Sequence, residues 1–217
     1  MPRWKRFAYG AIAVAGCLFA LIAANIAAGD PLARLDVYVS AWLGAHRTPA
    51  LTLLMLAVTN THAPAAICAY ALMMAVVLYR KAERRWLLAL GFAVPVGLAI
   101  NVLLKSLFRR SRPVPDEPLM TLATYSFPSG HTAGTTLFYG VLAAYIVSHT
   151  RSTPVRTAAV LGWAGAVALV AFSRVYLGVH YLTDVIAAAA WSSAWVALCL
   201  LVTSPVRLRS GPDRQPP

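Results

Sequence analysis

Residues 86–113 read WLLALGFAVPVGLAINVLLKSLFRRSRP. From Trp86 to Leu104 there is no charge, over close to the ~20 residues that a helix needs to cross bilayer hydrocarbon. The run then turns abruptly basic at Lys105, Arg109, Arg110 and Arg112, and closes on Pro113. That pattern is a membrane span leaving the lipid. The basic cluster beyond it is the first of three that need a separate account.

Composition extends this reading to the whole chain. Of 217 residues, 59% are hydrophobic and 12% charged, against about 25% charged in a soluble domain, and the mean hydropathy is +0.66. Further apolar runs lie at about 7–28, 51–79, 131–148, 156–172 and 181–203. They predict an all-α bundle of six transmembrane helices, one domain over residues 1–206, with a polar, disordered cytoplasmic tail at 207–217. Asn60, Thr61, His62 and Pro64 interrupt the second run and predict a broken or bent helix. Between spans one and two, Leu35, Val39, Trp42 and Leu43 share a helical face, which predicts an interfacial amphipathic helix. The segments AANIAAG and VAGC resemble cleavage signals, but the length of the first run favours an uncleaved span. Cys17, Cys68 and Cys199 lie in apolar stretches without metal spacing and are expected to be buried packing residues.

The formal net charge of +12 is split into short clusters between apolar runs. That distribution fits orientation signals and anionic lipid, and no nucleic-acid partner is expected. Six spans put both termini on one face, which holds 12 of the 19 Lys and Arg residues and is therefore expected to be cytoplasmic. The opposite face holds Arg34, Arg47, Lys105, Arg109, Arg110, Arg112 and Arg174.

Three clusters fall on that outer face. Lys105 and Arg112 are seven apart, a spacing that on a helix brings both to nearly the same side. Pro128-Ser129-Gly130 precedes a helix expected to start near His131, where free backbone N–H groups suit an anion. His180 and Asp184 are four apart and would share a face of one helix. Asp184 is the only acidic residue inside an expected span, and intramembrane acids are costly enough to be functional by default. A metal bound by His131, His180 and Asp184 is disfavoured, because Lys105, Arg112 and Arg174 repel a divalent cation and attract a phosphate.

These clusters resemble the three signatures of the type 2 phosphatidic acid phosphatase (PAP2) superfamily. They stand here, intact and in order, as Lys105-x6-Arg112-Pro113, Pro128-Ser129-Gly130-His131 and Ser173-Arg174-x5-His180-x3-Asp184. One mild departure follows the third, where DVIAAAA stands in place of a glycine common in relatives; alanine is also small, so close helix packing should survive. The resemblance implies a six-helix membrane lipid phosphatase without metal or other cofactor. His180 would be the nucleophile, Asp184 its orienting carboxylate, and His131 the general acid and then base. Lys105, Arg112, Ser129, Gly130 and Arg174 would bind the phosphoryl group. The implied partners are the bilayer and a lipid phosphomonoester or diphosphate, such as phosphatidylglycerol phosphate, phosphatidic acid or undecaprenyl diphosphate. The rival readings are a phosphotransferase using the same phosphohistidine and a non-catalytic lipid-binding or transport protein. Tyr125, Phe127, Tyr176 and Tyr181 lie near the motifs and are read as an interfacial aromatic belt. Arg109 and Arg110 suit a second phosphate or lipid headgroups.

Overall fold

The computed structural model describes residues 3–29, 31–113 and 124–204. The tail expected at 207–217, and the middle of the loop after span three, lie outside the described residues. Those described form eight helices and no strand: α1 (Arg3–Ala27), α2 (Ala33–Ala45), α3 (Pro49–Thr61), α4 (Pro64–Arg80), α5 (Arg84–Phe108), α6 (Gly130–His149), α7 (Thr153–Tyr176) and α8 (Leu182–Val202).

Local chemistry sets the breaks. Thr48 caps α3 by accepting the Leu51 N–H at 3.4 Å, with Pro49 in the first turn, where its missing N–H costs nothing. The interruption at residues 62–63 bends α3 against α4 by 48°, as the proline and polar residues there predict. Pro95 lies inside α5, where it would clash with the preceding turn; the helix widens to a π-type turn over Phe92–Val96 instead of breaking. Trp195 of α8 donates its indole N–H to the Phe92 carbonyl at 3.1 Å.

Four helices, α1, α5, α7 and α8, are long and apolar enough to cross a membrane, and the bent α3–α4 pair adds a fifth. The chain is a multi-pass membrane protein. Helix α6 differs because it runs through the middle of the bundle. Its Ala133, Leu137 and Val141 are fully buried against Ile67 of α4, Ala93 and Val94 of α5, and Ala188 and Trp191 of α8. Two of its threonines spend their hydroxyls on its own backbone, Thr135 to the His131 carbonyl and Thr136 to the Thr132 carbonyl, both at 2.8 Å. No polar atom of these two side chains is therefore stranded. Gly97 lets α5 approach α6, since a Cβ there would sit 2.6 Å from Leu137 Cδ1. The alanines that follow Asp184 allow equally close packing, with Ala187 buried against Ile22 and Ala23 of α1 and against Phe127.

One expectation is corrected. Only Cys199 is buried; Cys17 and Cys68 are exposed on the outer surface of the bundle, where a bilayer accepts an apolar thiol without requiring it to pack. Helix α2 forms where the amphipathic helix was expected, with Leu35 and Trp42 of its apolar face 48% and 51% exposed. Its inward residue is Asp36, fully buried and ion-paired with Arg110. Asp36 belongs to a larger group: Asn101, Arg110, Ser126, Ser129, Arg174, His180, Thr183 and Asp184 are also buried.

Candidate active site

The site is assembled on the turn between α7 and α8. Helix α7 ends at Tyr176, and Gly178 adopts φ 73°, a left-handed conformation in which a Cβ would be strained. The chain then reverses, and α8 starts at Leu182. His180 therefore stands outside the helix, and Asp184 is its third residue. The two do not share a helical face, as their spacing predicted; they meet because Asp184 caps its own helix. Its Oδ2 accepts the Tyr181 N–H at 2.9 Å, which turns the carboxylate back toward His180.

His180 Nδ1 lies 3.4 Å from Asp184 Oδ2 and 3.4 Å from Ser126 Oγ. The Ser126 hydroxyl itself donates to Asp184 Oδ2. On the other side of the ring, Nε2 lies 3.3 Å from Arg112 Nη1. Two acceptors at Nδ1 and a donor at Nε2 select the tautomer with the proton on Nδ1 and a lone pair on Nε2. Burial pushes the His180 pKa down to about 3, against the opposing pull of Asp184, so the ring is neutral at physiological pH.

The cations approach differently from their spacing. Helix α5 stops at Phe108, and Arg109 takes φ 48°, so Arg112 is not on the helix with Lys105. Both instead converge on residues 124–126. Lys105 Nζ donates to the Tyr125 carbonyl at 2.6 Å, and Arg112 donates to the Thr124 carbonyl at 2.7 Å and the Val179 carbonyl at 2.6 Å. Burial lowers the Arg112 pKa, while Asp184 opposes that shift. Arg174, at the end of α7, is completely buried. Its Nη1 donates to the hydroxyl of buried Thr59, but Nε and Nη2 have no partner among the described residues. Leaving buried guanidinium donors unpaired is costly, and an anion bound there would offset the cost.

The second motif closes the site. Helix α6 starts at Gly130, and buried Ser129 donates its N–H to the Asp184 carbonyl at 3.2 Å. A Cβ on Gly130 would lie 3.6 Å from Asn101 Nδ2 and 4.0 Å from Lys105 Cε, so this backbone packs directly beside α5. His131, half-buried in the first turn of α6, is within Coulombic reach of Arg174, His180, Arg112 and Lys105. The structure thus brings together the eight residues singled out by sequence.

Other residues were missed. Arg110, read from the sequence as suited to a second phosphate or lipid headgroups, makes ion pairs within the protein that the sequence did not predict. It is buried, with Nη1 2.7 Å from Asp184 Oδ1 and Nη2 2.7 Å from Asp36 Oδ2. Burial acts against its charge, but Asp184 and Asp36 outweigh it and raise the Arg110 pKa above its ordinary value. Ser126, Thr59, Thr183 and Asp36 were not singled out either. For Asp36 a signal existed, an acid within an otherwise apolar amphipathic stretch, but it lay outside the expected spans. The aromatic belt is also corrected: Phe127 and Tyr176 are buried. Phe127 packs between Phe19 and Phe108, and the Tyr176 hydroxyl accepts the Thr48 N–H at 3.0 Å.

A cavity of about 650 Å³ lies between α2, α7 and α8. Its lining is almost wholly apolar and includes Val175, Leu182 and Val185, the near neighbours of Arg174 and Asp184.

Comparison with known proteins fits this geometry. The sequence profile of the PAP2 superfamily matches residues 86–207. Phosphatidylglycerophosphatase B of Bacillus subtilis is 38% identical over 109 residues, 50% of this chain and 52% of that protein. Decaprenylphosphoryl-5-phosphoribose phosphatase of Mycobacterium tuberculosis is 38% identical over 120 residues, 53% of this chain and 59% of that protein. These alignments thus span only half to three fifths of the curated relatives' length. Among solved structures, the transmembrane PAP2-type phosphatidylglycerolphosphate phosphatase from Bacillus subtilis superposes with a TM-score of 0.76 at 25% identity, over 87% of this chain and 93% of that one.

The neutral His180 links stability to pH. Its folded pKa of about 3 lies below the ordinary 6.5, so the unfolded state binds more protons between those values, and stability falls as pH falls from 6.5 toward 3. Between pH 6.5 and 5 the loss is expected to be about 1–2 kcal/mol. Thermal unfolding in detergent at stepped pH should show it, with a flatter dependence in His180→Gln; an equal slope in that variant would assign the effect to other groups.

Proposed function

Because the chain belongs to the PAP2 superfamily, whose profile covers residues 86–207, we propose that it is a membrane lipid phosphatase acting through a phosphohistidine. The substrate is a lipid phosphomonoester or diphosphate whose hydrocarbon stays in the bilayer. The observation that carries this reading is Arg174: a fully buried guanidinium with two unpartnered nitrogens, within Coulombic reach of both imidazoles. A binding or transport protein needs such a cation, but it does not need a neutral imidazole held between a carboxylate and a second guanidinium.

The chemistry follows from the atoms present. Lys105, Arg112 and Arg174, with Ser129 and the Gly130 amide, hold the phosphoryl oxygens and spread their charge. His180 Nε2 attacks phosphorus while the bond to the leaving oxygen breaks. His131 gives that oxygen its proton, and Asp184 balances the positive phosphoimidazole. A bound phosphate dianion offsets the repulsion that three cations impose on an imidazolium at His131. In the second half, His131 takes a proton from water, the water oxygen attacks phosphorus, and the N–P bond breaks to release phosphate and neutral His180. With charge neutralised by fixed cations, the reaction proceeds without a divalent metal.

The apolar cavity beside α8 supports a lipid substrate, and the relatives, named as phosphatases of phosphatidylglycerophosphate and decaprenylphosphoryl-5-phosphoribose, agree in class. In this reading α6 is the sixth span. Its polar first turns and buried sides keep its hydropathy low, but its 20 residues are enough to cross. Helix α2 lies at the interface. The charge distribution supports cytoplasmic termini and an active site at the outer face of the cytoplasmic membrane.

Phosphate release is the direct test, on purified protein with phosphatidic acid, phosphatidylglycerol phosphate, undecaprenyl diphosphate and a soluble sugar phosphate. His180→Ala is expected to abolish release while leaving the fold intact by size-exclusion and thermal unfolding; full activity in that variant would remove the nucleophile assignment. Release is expected to persist in EDTA, and a loss restored by a divalent ion would reverse the metal-free reading. For sidedness, Arg34→Cys in a background lacking the three native cysteines should react with an impermeant thiol reagent in intact cells. Reaction only after lysis would invert the topology.

A further inference from the structure

The buried acid on α2 has no role in the steps above, yet it is tied through Arg110 to the carboxylate that serves His180. Asp36 is fully buried. Its Oδ2 takes Arg110 Nη2 at 2.7 Å and the Thr183 hydroxyl, and its Oδ1 takes the Thr183 N–H at 3.0 Å. Arg110 holds Asp184 Oδ1 at 2.7 Å through Nη1, the nitrogen that also donates to Thr183 Oγ1 at 2.8 Å. The guanidinium lies over the Tyr181 ring, its Cζ 4.4 Å from the centroid. Residue 36 is thus joined to the N-terminal turn of α8 from 147 positions away.

The charges make this more than a fastening. Asp184 must stay negative enough to balance the imidazolium that forms when His180 is phosphorylated. Arg110 sits on one of its oxygens and, alone, would cancel that charge. Lys105, Arg112 and Arg174 stand nearby and increase the demand for a counter-charge. A second carboxylate on the far side of Arg110 restores the balance: the triplet Asp36–Arg110–Asp184 carries a net negative charge, where Arg110–Asp184 alone carries none.

We propose that Asp36 is a positioning residue for the phosphatase reaction, which shares Arg110 with Asp184 so that Asp184 keeps the charge and orientation that His180 needs. This rests on the phosphohistidine reading above. Asp36 touches no reacting atom; it acts through Arg110 and through Thr183, the residue preceding Asp184. Helix α2 is therefore part of the active site's electrostatics as well as a cover over the bundle.

Charge balance gives a test that a merely structural salt bridge would not pass. Phosphate release from phosphatidic acid in detergent micelles is measured for Asp36→Asn, for the double variant Asp36→Asn/Arg110→Gln, and for His180→Ala as control. Asp36→Asn is expected to lower kcat at least about tenfold with KM within about twofold, because the lost interaction stabilises the charged intermediate and not the bound substrate. The double variant removes the unbalanced cation together with its partner and is expected to recover most of that loss, although it removes more buried bonds. Should Asp36→Asn alone fail to fold, the comparison becomes Asp36→Asn/Arg110→Gln against Asp36→Asn/Arg110→Lys, and only the former should keep kcat. Equal kcat within either pair, or an Asp36→Asn protein that loses thermal stability while keeping wild-type kcat, overturns the proposal. An active His180→Ala protein would instead mark failure of the nucleophile reading on which it rests.

Discussion

One buried carboxylate organises this molecule. Asp184 has no access to solvent, and an ionised carboxylate in that position must be surrounded by donors or lose its charge. The fold answers from four directions. Arg110 comes from the segment after α5, Ser126 from the segment before α6, the Tyr181 amide from the residue before α8, and His180 from the turn behind it. Satisfying Asp184 therefore fixes the relative positions of α5, α6 and α8 at one end of the bundle. The Ser129 amide bound to the Asp184 carbonyl adds a backbone tie to the same point.

The bilayer explains why these polar groups crowd together. Lipid offers no hydrogen bonds, so a span is stable only where its polar atoms are satisfied internally. Below the site, the helices meet through alanine, leucine, valine and a few glycines, as at Gly97 against Leu137 and Ala187 against α1. At the site end, partners come from several segments distant in sequence. Arg174 nevertheless keeps two buried nitrogens without a partner among the described residues, as does the Asn101 Oδ1 beside the second motif.

Much of this was legible in the residues. Helix positions follow the apolar runs closely: the run read at 131–148 is the helix Gly130–His149, and the break read at Asn60–Pro64 separates α3 from α4. The composition of the site was also readable, since the costs of intramembrane charge apply before any fold is known. Geometry inferred from spacing fared worse. Lys105 and Arg112 are not on one helix, because α5 ends at Phe108; His180 and Asp184 are not on one helix, because α8 begins at Leu182. Each pair still meets, through a turn in place of a helical face. Periodicity assumes that a helix continues, and sites of this kind lie where helices stop.

The sequence by itself determined that the chain is a helical membrane protein, and singled out the cations and the two of its five histidines that the fold gathers at one end of the bundle. Those conclusions rest on transfer energies and residue chemistry, which are local. Only the tertiary structure decided how the charges pair. Arg110 looks no different from Arg109 or Arg112 in the chain, yet it alone lies between Asp36 and Asp184, while Arg109 stays exposed. Asp36 reads as one acid in a surface helix, and becomes a buried partner of the site only when α2 folds onto α8. Pairing depends on distance in space between segments up to 147 residues apart, and no local property of the chain encodes it.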